Sequence, residues 1–271
     1  MRVRARHRAH RDPRSPRAGD RFAGVDLLRG LAIAMMVSYH LCYDLAYLRL
    51  VPWTPDDMLT ELGWIGWRDL IVISFLTLVG FSRALSTVFK PSASDFWKRW
   101  AQIAGAAALV SLASRGFAGE RWIYFGILHF IAVAVLLCRL ILFRVRSAPW
   151  IAALGVAAIV AGLLFASAAL DPPPFNVLGF VAHKPRTDDY VPLFPWIGVV
   201  LIGLAAGLLW KAHDFEPIAP LSRLRAAAPA PLRKGLARAG RWSLTIYLVH
   251  QPILIGVLTL VAGLIRPRPG L

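Results

Sequence analysis

Seven runs of roughly twenty apolar residues run through this chain, at about 23–43, 64–86, 97–114, 122–142, 150–170, 192–211 and 242–265. A run of about that length crosses the hydrocarbon core as one α-helix. In lipid a spanning backbone must pair its own amides and carbonyls, which leaves helices or a closed barrel. Runs this long fit helices. The expected fold is therefore all-α, a polytopic transmembrane helix bundle of about seven spans. Composition agrees, since 57% of the 271 residues are hydrophobic against roughly 45–50% in soluble domains.

Charge orients the bundle. With seven spans, the N-terminal tail and the loops at 83–99, 139–146 and 211–241 fall on one side, and they hold 22 of the 31 Lys and Arg residues. The positive-inside bias makes that side cytoplasmic and places the C-terminus outside. The formal charge of +16 is thereby explained by topology and attraction to anionic lipid, so nucleic acid is not an expected partner. Residues 1–20 form a basic cytoplasmic tail, and 21–271 a single multi-pass membrane domain. Residues 212–240, rich in Pro, Ala and Arg, read as a cytoplasmic connector suited to the membrane surface. Cys42 and Cys138 belong near opposite ends of their spans, too far apart for a disulfide. The chain shows no internal repeat.

The first span, "DLLRGLAIAMMVSYHLCYD", carries four ionisable groups at a depth where such groups are expensive and face protein or a wet cavity. Arg29 and His40 are separated by three turns and about 20°, so they share a face, which Asp26 and Asp44 join at i, i+3 and i, i+4 spacing. The helix is thus an apolar rod with one polar seam, its arginine about 16 Å inward of its histidine. Two buried ion pairs, Asp26–Arg29 and His40–Asp44, would account for the seam structurally. A His–carboxylate pair is also what a general base requires.

Further polar points lie on other spans. His129 falls about two turns below the outer end of the fourth, either as a satisfied core histidine or as a reactive one. Asp188, Asp189 and Tyr190 stand just outside the sixth, where they would cap a helix or bind a cationic or hydroxyl-rich molecule. "YLVHQP" in the seventh puts Tyr247, His250 and Gln251 before Pro252, where the helix loses a backbone donor. Arg241 opens that helix as a topology marker or, with Arg29, as a phosphate ligand. Trp64, Trp67, Trp122 and Trp196 suit the membrane interface, and Arg68 and Asp69 are expected to pair with neighbours.

"DLLRGLAIAMMVSYH" is similar to the first-helix signature of membrane acyltransferases, an arginine followed by ten residues and a histidine. With "YFGILHFIAV", "TDDYVPLFPWIGVVLIG" and "GRWSLTIYLVHQPIL" in order, the chain from about 21 to 265 resembles the bacterial relatives of heparan-alpha-glucosaminide N-acetyltransferase. The resemblance implies acetyl-CoA entering from the cytoplasm and an acceptor outside, such as an amino sugar or envelope glycan. His40, Asp44 and His129 are then the catalytic candidates. Arg29, Arg241, Tyr247, His250 and Gln251 are the donor-side candidates, and Asp188, Asp189 and Tyr190 the acceptor-side ones. A homo-oligomer is compatible with the reading.

The chain contains no phosphate-binding glycine loop, Cys/His metal cluster or serine-nucleophile signature. Chemistry must come from His, Asp, Arg and Tyr, which suits acyl transfer from a thioester without a metal. His40 would act as a base oriented by Asp44, or as a nucleophile through an acetyl-histidine. Intramembrane His and Asp also serve proton relays, so a proton-coupled transporter is the competing expectation.

Overall fold

The computed structural model describes residues 18–89, 91–117, 119–213, 215, 222, 223 and 226–265. Among these the chain is all-α, with nine helices: α1 (Ala18–Tyr47), α2 (Pro55–Thr60), α3 (Leu62–Phe89), α4 (Ala93–Phe117), α5 (Ile127–Arg144), α6 (Ala148–Leu164), α7 (Trp196–Ala212), α8 (Ala230–Arg241) and α9 (Ser243–Ile265). Most of the basic tail, parts of the connector and residues 266–271 lie outside the described residues.

Four helices are long and apolar enough to cross a membrane: α1 over Ala23–Tyr47, α3 over Leu62–Val88, α5 and α9. This is an integral multi-pass membrane protein. α6 and α7 are apolar but have 17 residues each, about 26 Å of helix. α4 is 25 residues long, begins "ASDFWKRW", and is not among the helices apolar enough to span.

Helix limits shift from the sequence expectation wherever glycine or proline intervenes. The fourth span begins at Ile127 rather than 122, because a 3₁₀ turn at Gly119–Arg121 and extended Gly126 precede it. His129 consequently sits in the first turn of α5, not two turns down. The fifth apolar run stops being helical at Leu164, and Ser167 pairs with Val181 in an isolated bridge. The sixth starts only after Pro195.

Close backbone approach through small residues holds the bundle, as expected where lipid supplies no hydrophobic drive between helices. On α3 and α7, Gly203 lies against Thr77, Gly207 against Phe81 and Ala84, and Lys211 bonds Thr87. These contacts ascend together, so α3 and α7 share a direction, as an alternating path through α4, α5 and α6 requires. α6 returns antiparallel, with Gly162 at Pro195 and Gly155 at Gly198. The main core, including Leu76, Phe130, Ile151, Val200 and Leu204, fills the space among α3, α5, α6 and α7.

The end of the connector does not lie apart from the bundle. α8 runs antiparallel to α1 and packs along it: a Cβ on Gly30 would come within 1.9 Å of the Leu236 carbonyl, and one on Gly240 within 1.9 Å of the Asp26 carbonyl. Two glycines facing carbonyls make this contact tighter than surface attachment would need. α9 packs by its first half, where Leu244, Tyr247 and Leu248 meet Ala106, Ala107 and Leu128. Its second half presents Ile253, Val257, Leu260 and Leu264 outward, a face suited to lipid.

Candidate active site

The polar seam of α1 is divided between two neighbouring helices. Near its N-terminal end the Arg29 guanidinium donates from Nη1 to Asp26 Oδ1 at 2.8 Å and from Nη2 to Ser82 Oγ of α3 at 2.6 Å. The expected Asp26–Arg29 pair is present. Ser82 in turn donates to the Leu78 carbonyl. Nothing in the local pattern of "GFSRALS" singles out Ser82, because its partner is 53 residues away. The close contact of Gly240 with Asp26 brings the exposed Arg241 to this same end of α1.

The C-terminal half of the seam meets α9. His40 Nδ1 lies 3.1 Å from His250 Nε2 and 3.1 Å from the Met36 carbonyl. His250 Nδ1 lies 2.7 Å from the Tyr247 carbonyl. This network assigns the protons. A carbonyl accepts only, so His250 Nδ1 carries its hydrogen, and the neutral ring offers Nε2 as an acceptor. His40 Nδ1–H donates to it, which leaves His40 Nε2 with a free lone pair. No group among the described residues bonds that nitrogen.

His40 is therefore oriented by a second histidine, not by the expected Asp44. The Asp44 carboxylate, 1% exposed, accepts from Gln251 Nε2 at 2.7 Å. The reason is lateral: α9 brings Gln251 to Asp44, while the His40 ring turns back toward Met36 in its own helix. Asp44 Oδ2 and Gln251 Oε1 are buried without a hydrogen-bond partner. Unsatisfied buried acceptors are uncommon and call for a donor.

His129 has a different environment. Ser111 Oγ donates to the Ile123 carbonyl at 2.6 Å, so His129 Nε2–H donates to Ser111 Oγ at 3.0 Å. Its Nδ1 accepts from the Gly126 amide at 3.3 Å. Both nitrogens are engaged: Nδ1 closes the first turn of α5 as a capping side chain does, and Nε2 ties the ring to α4.

The loop that precedes α7 folds over the same region. Asp189 Oδ2 accepts from the Ile127 amide at 2.9 Å, capping α5 rather than the α7 it precedes. The Tyr247 hydroxyl also bonds this carboxylate. Burial pushes the Asp189 carboxyl above the ordinary range, against the opposing effect of the Ile127 amide. Asp188 pairs with Arg121, whose Nε donates at 2.8 Å and whose own pKa the carboxylate raises. The Tyr190 hydroxyl donates to the Asn176 carbonyl at 2.5 Å, and burial pushes it up to about 12. The three acceptor-side candidates thus all have partners within the chain. Tyr247 links Asp189 to the histidine pair, its ring centroid 5.8 Å from that of His250.

Trp64 and Trp67 stack on each other and edge onto Tyr39, next to His40. Trp196 packs against the main core. Arg68 and Asp69 pair with each other. Both cysteines are free, and no cluster suited to a metal occurs among the described residues.

Comparison with curated proteins and with solved structures finds no match. The family model for heparan-alpha-glucosaminide N-acetyltransferase, catalytic, matches residues 21–252 and so takes in α1 with Arg29 and His40 and α9 as far as Pro252. A match over most of the chain that spans both halves of the histidine pair makes this protein a member of the heparan-alpha-glucosaminide N-acetyltransferase catalytic-domain family.

Proposed function

We propose that the protein is a membrane acyltransferase that moves an acetyl group from cytoplasmic acetyl-CoA to an amine or hydroxyl on the far side of the membrane, with His40 as the general base. The observation that carries this reading is that His40 Nδ1–H is shared between His250 Nε2 and the Met36 carbonyl, each at 3.1 Å, which holds the ring in the tautomer with Nε2 free to take a proton. The family points to acetyl transfer generally. The arrangement resembles a base and its orienting group, with an imidazole where a carboxylate often stands.

In the proposed reaction the acceptor nitrogen or oxygen attacks the thioester carbonyl while His40 Nε2 removes its proton. The C–S bond breaks, and the proton passes from the imidazolium to the leaving thiolate of CoA. His250 holds the imidazolium through His40 Nδ1–H. Asp44 Oδ2 and Gln251 Oε1, one turn outward, are the free acceptors for a second N–H or O–H of the incoming group. Arg29 and Arg241 gather at the inner end of α1, about 16 Å below His40, where a nucleotide's phosphates would lie if the pantetheine arm follows the seam. Tyr247 and Asp189 close the outer side. His129 serves the fold in this reading, since both its nitrogens are engaged.

Purified protein in nanodiscs, given acetyl-CoA and a panel of amino sugars, should release CoA thiol and acetylate at least one acceptor. His40→Ala should abolish both. Proton flux across sealed vesicles without any CoA release would overturn the enzyme reading in favour of the transporter.

A further inference from the structure

A second polar feature lies away from the histidine pair. At the Arg- and Lys-rich end of the bundle, the ends of α3, α5 and α7 and the starts of α4 and α6 enclose a cleft of about 1120 Å³. None of its lining residues comes from α1, α8 or α9, so it is separate from the seam that holds Arg29 and His40.

Four cations line it, namely Arg83, Arg139, Arg146 and Lys211, and no carboxylate does among the described residues. Arg83 and Arg139 are held on the same ring: their guanidinium carbons lie 5.0 Å and 4.3 Å from the centroid of Phe96. Aromatic quadrupoles attract each cation but do little to relieve repulsion between them. Arg83 Nε is also buried without a hydrogen-bond partner. α6 adds the positive end of a 17-residue helix, since Ser147 makes no side-chain cap there and Ala148 and Pro149 line the cleft. Lys211 Nζ donates to Thr87 Oγ1 at 3.0 Å, which positions its ammonium on the opposite wall. Paired guanidiniums, an ammonium and helix amides together suit a phosphate.

The walls decide which phosphate. Leu140, Phe143 and Leu209 are 57%, 76% and 47% exposed and belong to helices whose outer faces are apolar. A soluble nucleotide gains nothing from an apolar wall open to the bilayer, whereas acyl chains do. We propose that this cleft binds the headgroup of an anionic phospholipid of the adjoining leaflet, with its chains lying along α5 and α7. Basic pockets between transmembrane helices on the cytoplasmic side are a known setting for such headgroups.

Native mass spectrometry of the whole chain tests this, with phosphatidylglycerol and phosphatidylcholine of identical chains as probes. The expected result is retention of phosphatidylglycerol about tenfold or more above phosphatidylcholine. Arg139→Gln with Arg146→Gln should remove most of that preference, and both residues are exposed, so the double variant should still fold. An equal affinity for the two lipids would overturn the proposal, as would an unchanged preference in the double variant. Displacement of phosphatidylglycerol by excess free CoA or inorganic phosphate would also overturn it, by identifying a soluble anion as the occupant.

Discussion

Replacing His250 separates orientation from chemistry. In His250→Leu, the His40 Nδ1–H loses its acceptor at 3.1 Å and retains only the Met36 carbonyl in its own helix. A buried hydrogen bond broken from one side costs about 1–3 kcal/mol. If that cost falls on the transition state, where the imidazolium needs the bond most, turnover drops about 5–150-fold at 1.36 kcal/mol per decade. His250→Gln places an amide oxygen near the position of Nε2 and should recover most of the rate. His40→Ala removes the base itself, a loss of about 10²–10⁴-fold. The double variant should be little worse than His40→Ala alone, since groups acting as a unit are not additive. The assay is CoA thiol release in nanodiscs at saturating acetyl-CoA, with His129→Asn as the comparison. Activity should fall on the acid side as the imidazole protonates and loses its lone pair. Equal rates for His250→Leu and His250→Gln would refute the orienting role. So would an active His40→Ala beside a folded but inactive His129→Asn.

Arg29→Ala should weaken CoA binding by about 10–100-fold, the worth of charge-assisted hydrogen bonds, and Arg29→Lys should restore part of it, since an ammonium cannot bind bidentately. Calorimetry with CoA decides, and an unchanged affinity would leave Arg29 as a purely structural partner of Asp26 and Ser82. Gly30→Ala puts a methyl within 1.9 Å of the Leu236 carbonyl, so α8 must shift from α1 at a cost of about 1–3 kcal/mol, seen as a lower unfolding temperature. Gly63→Ala meets nothing within 4 Å and is its neutral control. A reporter fused after Leu271 should be active outside the cytoplasm, and activity inside would overturn the seven-span path.

Most of the helical plan was legible locally. An apolar run of about twenty residues has few ways to exist in lipid, and i, i+3 and i, i+4 spacing places Asp26, Arg29, His40 and Asp44 on one face in any helix. The Asp26–Arg29 pair follows from the same spacing. Helix limits were harder at Gly126 and Pro195, where an apolar stretch continues through extended or capped backbone that hydropathy does not distinguish from helix.

The sequence by itself therefore determined the helices, the seam and its chemical inventory, because those depend on residues within a turn or two of one another. Only the tertiary structure decided who meets whom across the seam. His40 and His250 are 210 residues apart, as are, nearly, Asp44 and Gln251 at 207. Which carboxylate or imidazole reaches His40 depends on how α9 lies against α1, α4 and α5, and that placement is set by side-chain packing and by glycine-permitted backbone approach. Local spacing favoured Asp44 as the partner of His40, one turn away. Packing gave Asp44 to Gln251 and His40 to His250, because a contact between helices is a property of two surfaces and neither surface alone contains it.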